Sequence, residues 1–195
     1  TRAGRIAFSR QLQPLELPPR HANARVHALA GDTRIRFLEN GGYWWRELKS
    51  GTQSYDDSAA GRSVYFVAAP GATLYVQGRV AGKVLVYSPQ RIVVEGSLTY
   101  VRDPRSDADS GDYLGLVCDK DIELASPRVT GPGDIEIQGA LLAKRRFVVT
   151  GYEHARPATL RIYGSLAAGT LSASEPRYAT RIEFDPRFER LRPPG

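Results

Sequence analysis

The chain has 195 residues, with 27 basic and 21 acidic side chains and a net charge of +6. That length allows one domain with a substantial core, or one repeat array with a cap, and excludes two large domains. No apolar stretch approaches the roughly 18 to 20 residues of a bilayer-spanning helix, and a single cysteine, Cys118, excludes an intrachain disulfide and a cysteine-rich metal site.

Residues 1–24 are rich in Arg, Pro and Gln, and Pro14, Pro18 and Pro19 break any regular element, so they read as an extended arm or linker. From Ala24 to Glu39 two strand-like runs flank Gly31. Asn40-Gly41-Gly42 is a hairpin turn signal, followed by Tyr43, Trp44, Trp45 and then Arg46. Residues 51–61 are polar and read as a loop. Strands are expected at Val64 to Val67, Leu74 to Val80, Lys83 to Tyr87, Tyr113 to Cys118, Ile122 to Leu124, Ile135 to Leu141, Phe147 to Thr150 and Leu160 to Leu166, and no helix of ordinary length fits. Cys118 follows Leu114, Leu116 and Val117, which reads as a buried, inert thiol. The last alternating run is Thr180 to Phe184. Because the chain begins at Thr1 and contains no methionine, its natural start is expected upstream.

Four segments share one pattern. Leu74-Tyr-Val-Gln-Gly78-Arg-Val80, Ile92-Val-Val-Glu-Gly96-Ser-Leu98, Ile135-Glu-Ile-Gln-Gly139-Ala-Leu141 and Leu160-Arg-Ile-Tyr-Gly164-Ser-Leu166 recur every 18 to 43 residues. Relative to the glycine, positions −4, −2 and +2 are always aliphatic while −3 and −1 vary, so one face is buried and the other wet. Stacking the copies would join their aliphatic positions into one continuous column. The expectation is an all-β fold: a parallel β-solenoid over residues 25–176, with an irregular N-terminal portion and a C-terminal cap at 177–195 that covers the last strand edge.

Three stretches carry a family resemblance: Tyr100-Val-Arg-Asp-Pro-Arg through Leu114-Gly-Leu116-Val117, the rung Gly133 to Ala143, and the ending Tyr178 through Asp185-Pro-Arg187 to Pro193-Pro194. In order and spacing they resemble the solenoid domain of PilX-like atypical type IV minor pilins, over about residues 64 to 195. The resemblance implies a non-catalytic module at the cell surface or in the periplasm, carried by an apolar pilin helix upstream through which it meets other pilin subunits. One branch, the ComZ-type competence minor pilins, is linked to DNA binding at a pilus tip during natural transformation.

All the basic residues but Lys49, Lys83, Lys120 and Lys144 are arginine, whose planar fork suits phosphate and carboxylate. Lys144-Arg145-Arg146 is the densest basic run and is expected on a turn. Stacked turns lie about 5 Å apart, so Arg79, Lys83, Arg91, Arg161 and Arg181 are candidates to share a basic stripe with it. Arg177, Arg187, Arg190 and Arg192 would be added by the tail. Such a stripe would hold DNA by its phosphates without reading sequence; a solvated face with scattered ion pairs is the alternative. Tyr43, Trp44 and Trp45 are candidates for stacking on bases or sugar rings, or else for cap packing.

The segment Asp103 to Asp112 offers hard oxygen ligands of the kind calcium takes, but aspartates in turns also cap their own backbone, and no metal or cofactor is assigned. His21, His27 and His154 fall in no catalytic or zinc spacing. Asp119, Asp121 and Glu123 alternate on one strand face and imitate a β-helix carbohydrate-enzyme cluster. A pilus adhesin or assembly component that contacts protein or glycan is the main alternative to DNA binding, and such an enzyme is the third reading.

Overall fold

The computed structural model describes residues 24–56, 63–154 and 156–189; the arm expected at 1–23 and the end of the tail lie outside them. The described chain is all-β, built on one curled, mixed sheet of thirteen strands. In chain order the strands are β1 (Arg25–Leu29), β2 (Thr33–Phe37), β3 (Tyr43–Glu47), β4 (Gln53–Asp56), β5 (Ser63–Ala68), β6 (Thr73–Val80), β7 (Lys83–Ser88), β8 (Arg91–Tyr100), β9 (Tyr113–Cys118), β10 (Asp121–Leu124), β11 (Ile135–Val149), β12 (Ala158–Leu171) and β13 (Tyr178–Phe184). The single α-helix among the described residues, α1 (Pro127–Thr130), is one turn long. β4 lies inside the stretch that reads as a loop from its polar composition; pairing with β3 makes it a strand.

The sheet is not the uniformly parallel array expected. β2 and β3 pair antiparallel through the Asn40-Gly41-Gly42 turn, β3 and β4 pair antiparallel through the turn at 48–52, and every other ladder among the described residues is parallel. The parallel strands form two series that meet on the long β11, namely β1-β5-β7-β9-β11 and β2-β6-β8-β10-β11. Register stacks like on like. In the second series Leu74, Ile92, Ile122 and Phe147 follow one another across β6, β8, β10 and β11, and in the first Phe66, Val86, Leu116 and Leu141 do the same. All eight are buried and belong to one core, where each aliphatic side chain contributes about 1.5 to 3 kcal/mol by leaving water. Cys118 lies in this core, and burial pushes its thiol up to about 11.

The four repeat copies do not share one column. Leu74 pairs with Ile92, but past Val76 the register shifts, so that Gly78 faces Leu98 and Gly96 falls in the irregular stretch. Gly139 and Gly164 are true partners, and Leu98, Ile137 and Ile162 continue a separate column. Two extra residues in β8, which opposes Glu95-Gly96-Ser97 to the single Gln77, are the physical reason. Gly78, at φ 115°, accepts no side chain: a Cβ there would lie 2.0 Å from the carbonyl oxygen of Phe37 on the preceding strand.

The two ends of the stack differ. At the first, β3 turns Tyr43 and Trp45 inward, where His27 packs between Tyr43, Trp45 and Phe66. At the other, β13 adds a last parallel strand to β12, and Leu171, Ile182 and Phe184 stay more than half exposed. Within the described part of the tail expected as a cap, β13 extends the sheet by one parallel strand.

Candidate nucleic-acid interface

Lys144-Arg145-Arg146 lies within β11 and not on a turn. The register slips between Ala143 and Arg146, and the backbone N–H groups of Arg145 and Arg146 both donate to the Lys120 carbonyl, so the run forms a bulge that throws side chains outward. Lys144 pairs with Asp119 at 2.6 Å. Arg145 grips Asp121 with two nitrogens, and Arg146 reaches the same carboxylate at 3.1 and 3.3 Å. The hydrogen bond from Arg145, with those from Arg146, holds the Asp121 carboxyl down to about 2. Burial would raise Asp119, but hydrogen bonds from Lys144 and Tyr87 bring it below the ordinary value.

Three cations thus face two carboxylates, and the Arg145 and Arg146 side chains remain 56% and 52% exposed. Arg91 joins them, because Arg91, Asp121 and Arg146 are successive partners across β8, β10 and β11. Its carboxylate neighbour, Glu123, is 3.7 Å away. Arginines distant in sequence do align here, each fixed on one side by a carboxylate and open to water on the other.

The remaining candidates are not in that column. Arg161 sits between Glu136 and Arg181 in register, and Arg161 and Arg181 line a cleft of about 310 Å³ with Arg105, Tyr163 and Glu183. Arg105 is neutralised there by Asp103 and Glu136 at 2.5 and 2.6 Å. Arg79 donates to the carbonyls of Tyr100 and Val101. Lys83 lines a separate cleft with Arg102 and Asp112. The basic residues therefore make local groups and no single stripe.

Two tail arginines are structural. Arg177 is fully buried, donates to the carbonyls of Arg156, Gly131 and Gly133, and lies over the Tyr178 ring. Arg187 clasps the buried Asp185, donates to the carbonyls of Ser110 and Asp112, and sits 4.4 Å from the Tyr113 ring centre. Arg190 and Arg192 lie outside the described residues.

The aromatic run divides by strand alternation. Tyr43 and Trp45 go to the core side and Trp44 to the wet side, so the three do not form one stacking surface. Trp44 instead stands opposite Tyr55 on β4 and Arg36 on β2, while Arg46 stands opposite Arg34, whose other neighbour is Tyr75 on β6. Tyr55, Tyr75, Arg34 and Arg36 were not among the sequence candidates. The alternation Thr33-Arg-Ile-Arg-Phe37 carries the signal for the two arginines, since Ile35 and Phe37 are buried and the arginines between them must face out.

Three of the four aspartates of 103–112 are spent on structure, and the fourth, Asp109, is exposed. Asp103 receives Arg105 and Gln138, Asp107 receives Arg102, and Asp112 accepts the backbone N–H groups of Gly82 and Arg102. Among the described residues no cluster of three metal-ligating side chains occurs. Asp121 and Glu123 likewise meet Arg146 and Arg91. His21 lies outside the described residues, and His27 serves the packed end of the core. Among the described residues no helix is long and apolar enough to cross a membrane. Comparison of the chain with known protein families, with curated proteins and with solved structures finds no match in any of the three.

Proposed function

We propose that this chain is a non-catalytic DNA-binding module of a type IV pilus minor pilin, displayed at the cell surface during natural transformation, with its parallel ladders forming the coils of a β-solenoid. The columns of like residues across β5 to β12 support the solenoid reading, and β2-β3-β4 then serve as an antiparallel cap on its first coil. The pilus setting rests on the resemblance described above. The irregular landmarks behind that resemblance meet in space, since Arg187 from the ending holds the 103–112 loop by two of its carbonyls.

One observation carries the DNA reading. Arg145 and Arg146 hang from a single carboxylate with over half of each side chain in water, directly in line with Arg91. Guanidinium groups oriented in this way present their free N–H edges to phosphate, without a base contact. Asp121 does not fit the role of an acid catalyst. A glycosidase needs one carboxyl held up to act as a proton donor, whereas Asp121 is held down to about 2 by its arginines.

The test is a gel shift of purified protein with a short duplex at low and moderate salt. Retention at low salt that weakens steeply as salt rises supports the reading, and joint replacement of Arg145 and Arg146 by Ala should reduce it. No retention at low salt counts against it. A second reading, a pilus-assembly component that contacts protein, draws on the exposed Leu171, Ile182 and Phe184 on the last two strands. Polar substitutions there would abolish that contact and leave DNA retention untouched.

A further inference from the structure

We infer that the outer face of β4-β3-β2 is a stacking platform for single-stranded nucleic acid. Strand alternation sets Tyr55, Trp44 and Arg36 in one cross-strand row and Arg46 and Arg34 in the next, and directly opposed residues in such a sheet share a face. Trp44 does not join the apolar core that takes its neighbour Trp45, and Tyr55 is 58% exposed. The face therefore sets the half-buried Trp44 ring beside the exposed Tyr55 ring, flanked by arginines.

Charge decides what those rings meet. Arg34 is held by Glu95 in two hydrogen bonds of 2.8 and 2.9 Å, which fixes it at the edge of the platform with its guanidinium 5.7 Å from the Tyr75 ring centre. Arg36 and Arg46 are exposed, and among the described residues neither has a carboxylate within ion-pair distance. Rings that stack on planar groups, with uncompensated guanidinium groups one residue away, match a strand whose bases lie on the aromatics and whose phosphates run past the arginines. A neutral sugar would satisfy the rings and leave the two cations without use. A duplex hides its base faces and would satisfy only the arginines.

The inference deepens the DNA reading and takes from it only that the partner is nucleic acid. It uses different residues, so the two fail separately. The experiment measures fluorescence anisotropy with a labelled oligothymidylate of about twelve nucleotides and with a blunt duplex of the same length. Trp44→Ala is expected to lower affinity for the oligothymidylate about fivefold to a hundredfold, the usual loss for one stacked base, while changing duplex affinity less than about twofold. Tyr55→Ala should act in the same direction, and Trp44→Phe, which keeps a ring, should retain most of the binding. Both side chains lie on the wet face, so unchanged denaturation midpoints will exclude misfolding.

Unchanged oligothymidylate affinity in both alanine variants overturns the platform and leaves the basic column standing. Loss of binding to a neutral oligosaccharide, with oligothymidylate binding intact, also overturns it and makes the ligand a glycan. Failure of the unaltered protein to hold either nucleic acid at low salt removes both readings.

Discussion

Removing the Arg187 guanidinium would leave the Asp185 carboxyl without its cation and shut away from water, since Asp185 has no exposed surface and Arg187 supplies two of its nitrogens to it. Breaking a buried pair from one side costs about 3 to 5 kcal/mol, so Arg187→Ala should lower the urea midpoint strongly, and Arg187→Lys should recover only part because an amine cannot span both oxygens. A smaller loss is expected for Asp121→Asn, with a pH dependence of known sign. The folded carboxyl sits near 2, below its ordinary 3.8, so its stabilisation is complete above that ordinary value and fades as the pH falls toward 2. Unfolding curves of the unaltered protein and of Asp121→Asn should therefore converge on acidification; a constant gap would show that the arginines do not act through its charge. Residue identity alone did not separate these roles. Arg187 and Arg145 are alike in sequence, and only burial of the first against Tyr113 and exposure of the second distinguish a structural cation from an available one.

Elements were legible where alternation was clean. Thr33 to Phe37, Leu74 to Val80 and Leu160 to Leu166 are strands as expected, and the Asn40-Gly41-Gly42 signal does join an antiparallel pair. Register was not legible, because two additional residues around Gly96 shift every later partner, and nothing in the local composition marks where a ladder absorbs an insertion. Nor could alternation foretell that Gln138, at a wet position of its repeat, would be 1% exposed; the 103–112 loop folds over it and Asp103 accepts its amide. The close approach of consecutive strands gives a test of the stacking. Gly78→Ala should destabilise the fold by well over about 1 kcal/mol, since it meets both a left-handed φ and the Phe37 carbonyl, while Gly71→Ala, with φ 88° but open space around it, should cost less. Thermal melts of the two variants will check the order.

The packed first end carries a pH dependence of its own. Trp45 donates to His27 Nδ1 at 3.3 Å, so the neutral imidazole holds its proton on Nε2, 2.8 Å from the Tyr43 hydroxyl. Burial, with help from Arg25, lowers the pKa of His27 below its ordinary 6.5. The unfolded chain then takes up this proton more readily than the folded one, so stability is full above 6.5 and declines as the pH falls below it, levelling once the folded group is itself protonated. Replacing His27 by Gln should remove that slope from a plot of unfolding midpoint against pH, and the imidazole resonance in NMR should titrate below 6.5.

Across the whole molecule, the two proposed contacts lie on one series of neighbouring strands. The series β3-β2-β6-β8-β10-β11 runs from the Trp44 platform to Arg146, and Arg36, Arg91 and Arg146 are all exposed. From β3, which carries Trp44, to β11 there are five strand steps of about 4.8 Å, or about 24 Å, a distance covered by about seven nucleotides at the 3.4 Å rise of a stacked strand. A molecule with a duplex part on Arg91, Arg145 and Arg146 and a single-stranded tail on Trp44 and Tyr55 would engage both at once. The second contact then forms at the high effective concentration set by the first. A duplex with a tail of about ten nucleotides should accordingly bind at least about tenfold more tightly than the blunt duplex or the free tail. Trp44→Ala should return the tailed duplex to the affinity of the blunt one, and the Arg145/Arg146 double alanine variant should return it to that of the tail alone. Equal affinity of tailed and blunt duplexes would mean that the two groups of residues, though on one series of strands, do not act on one ligand.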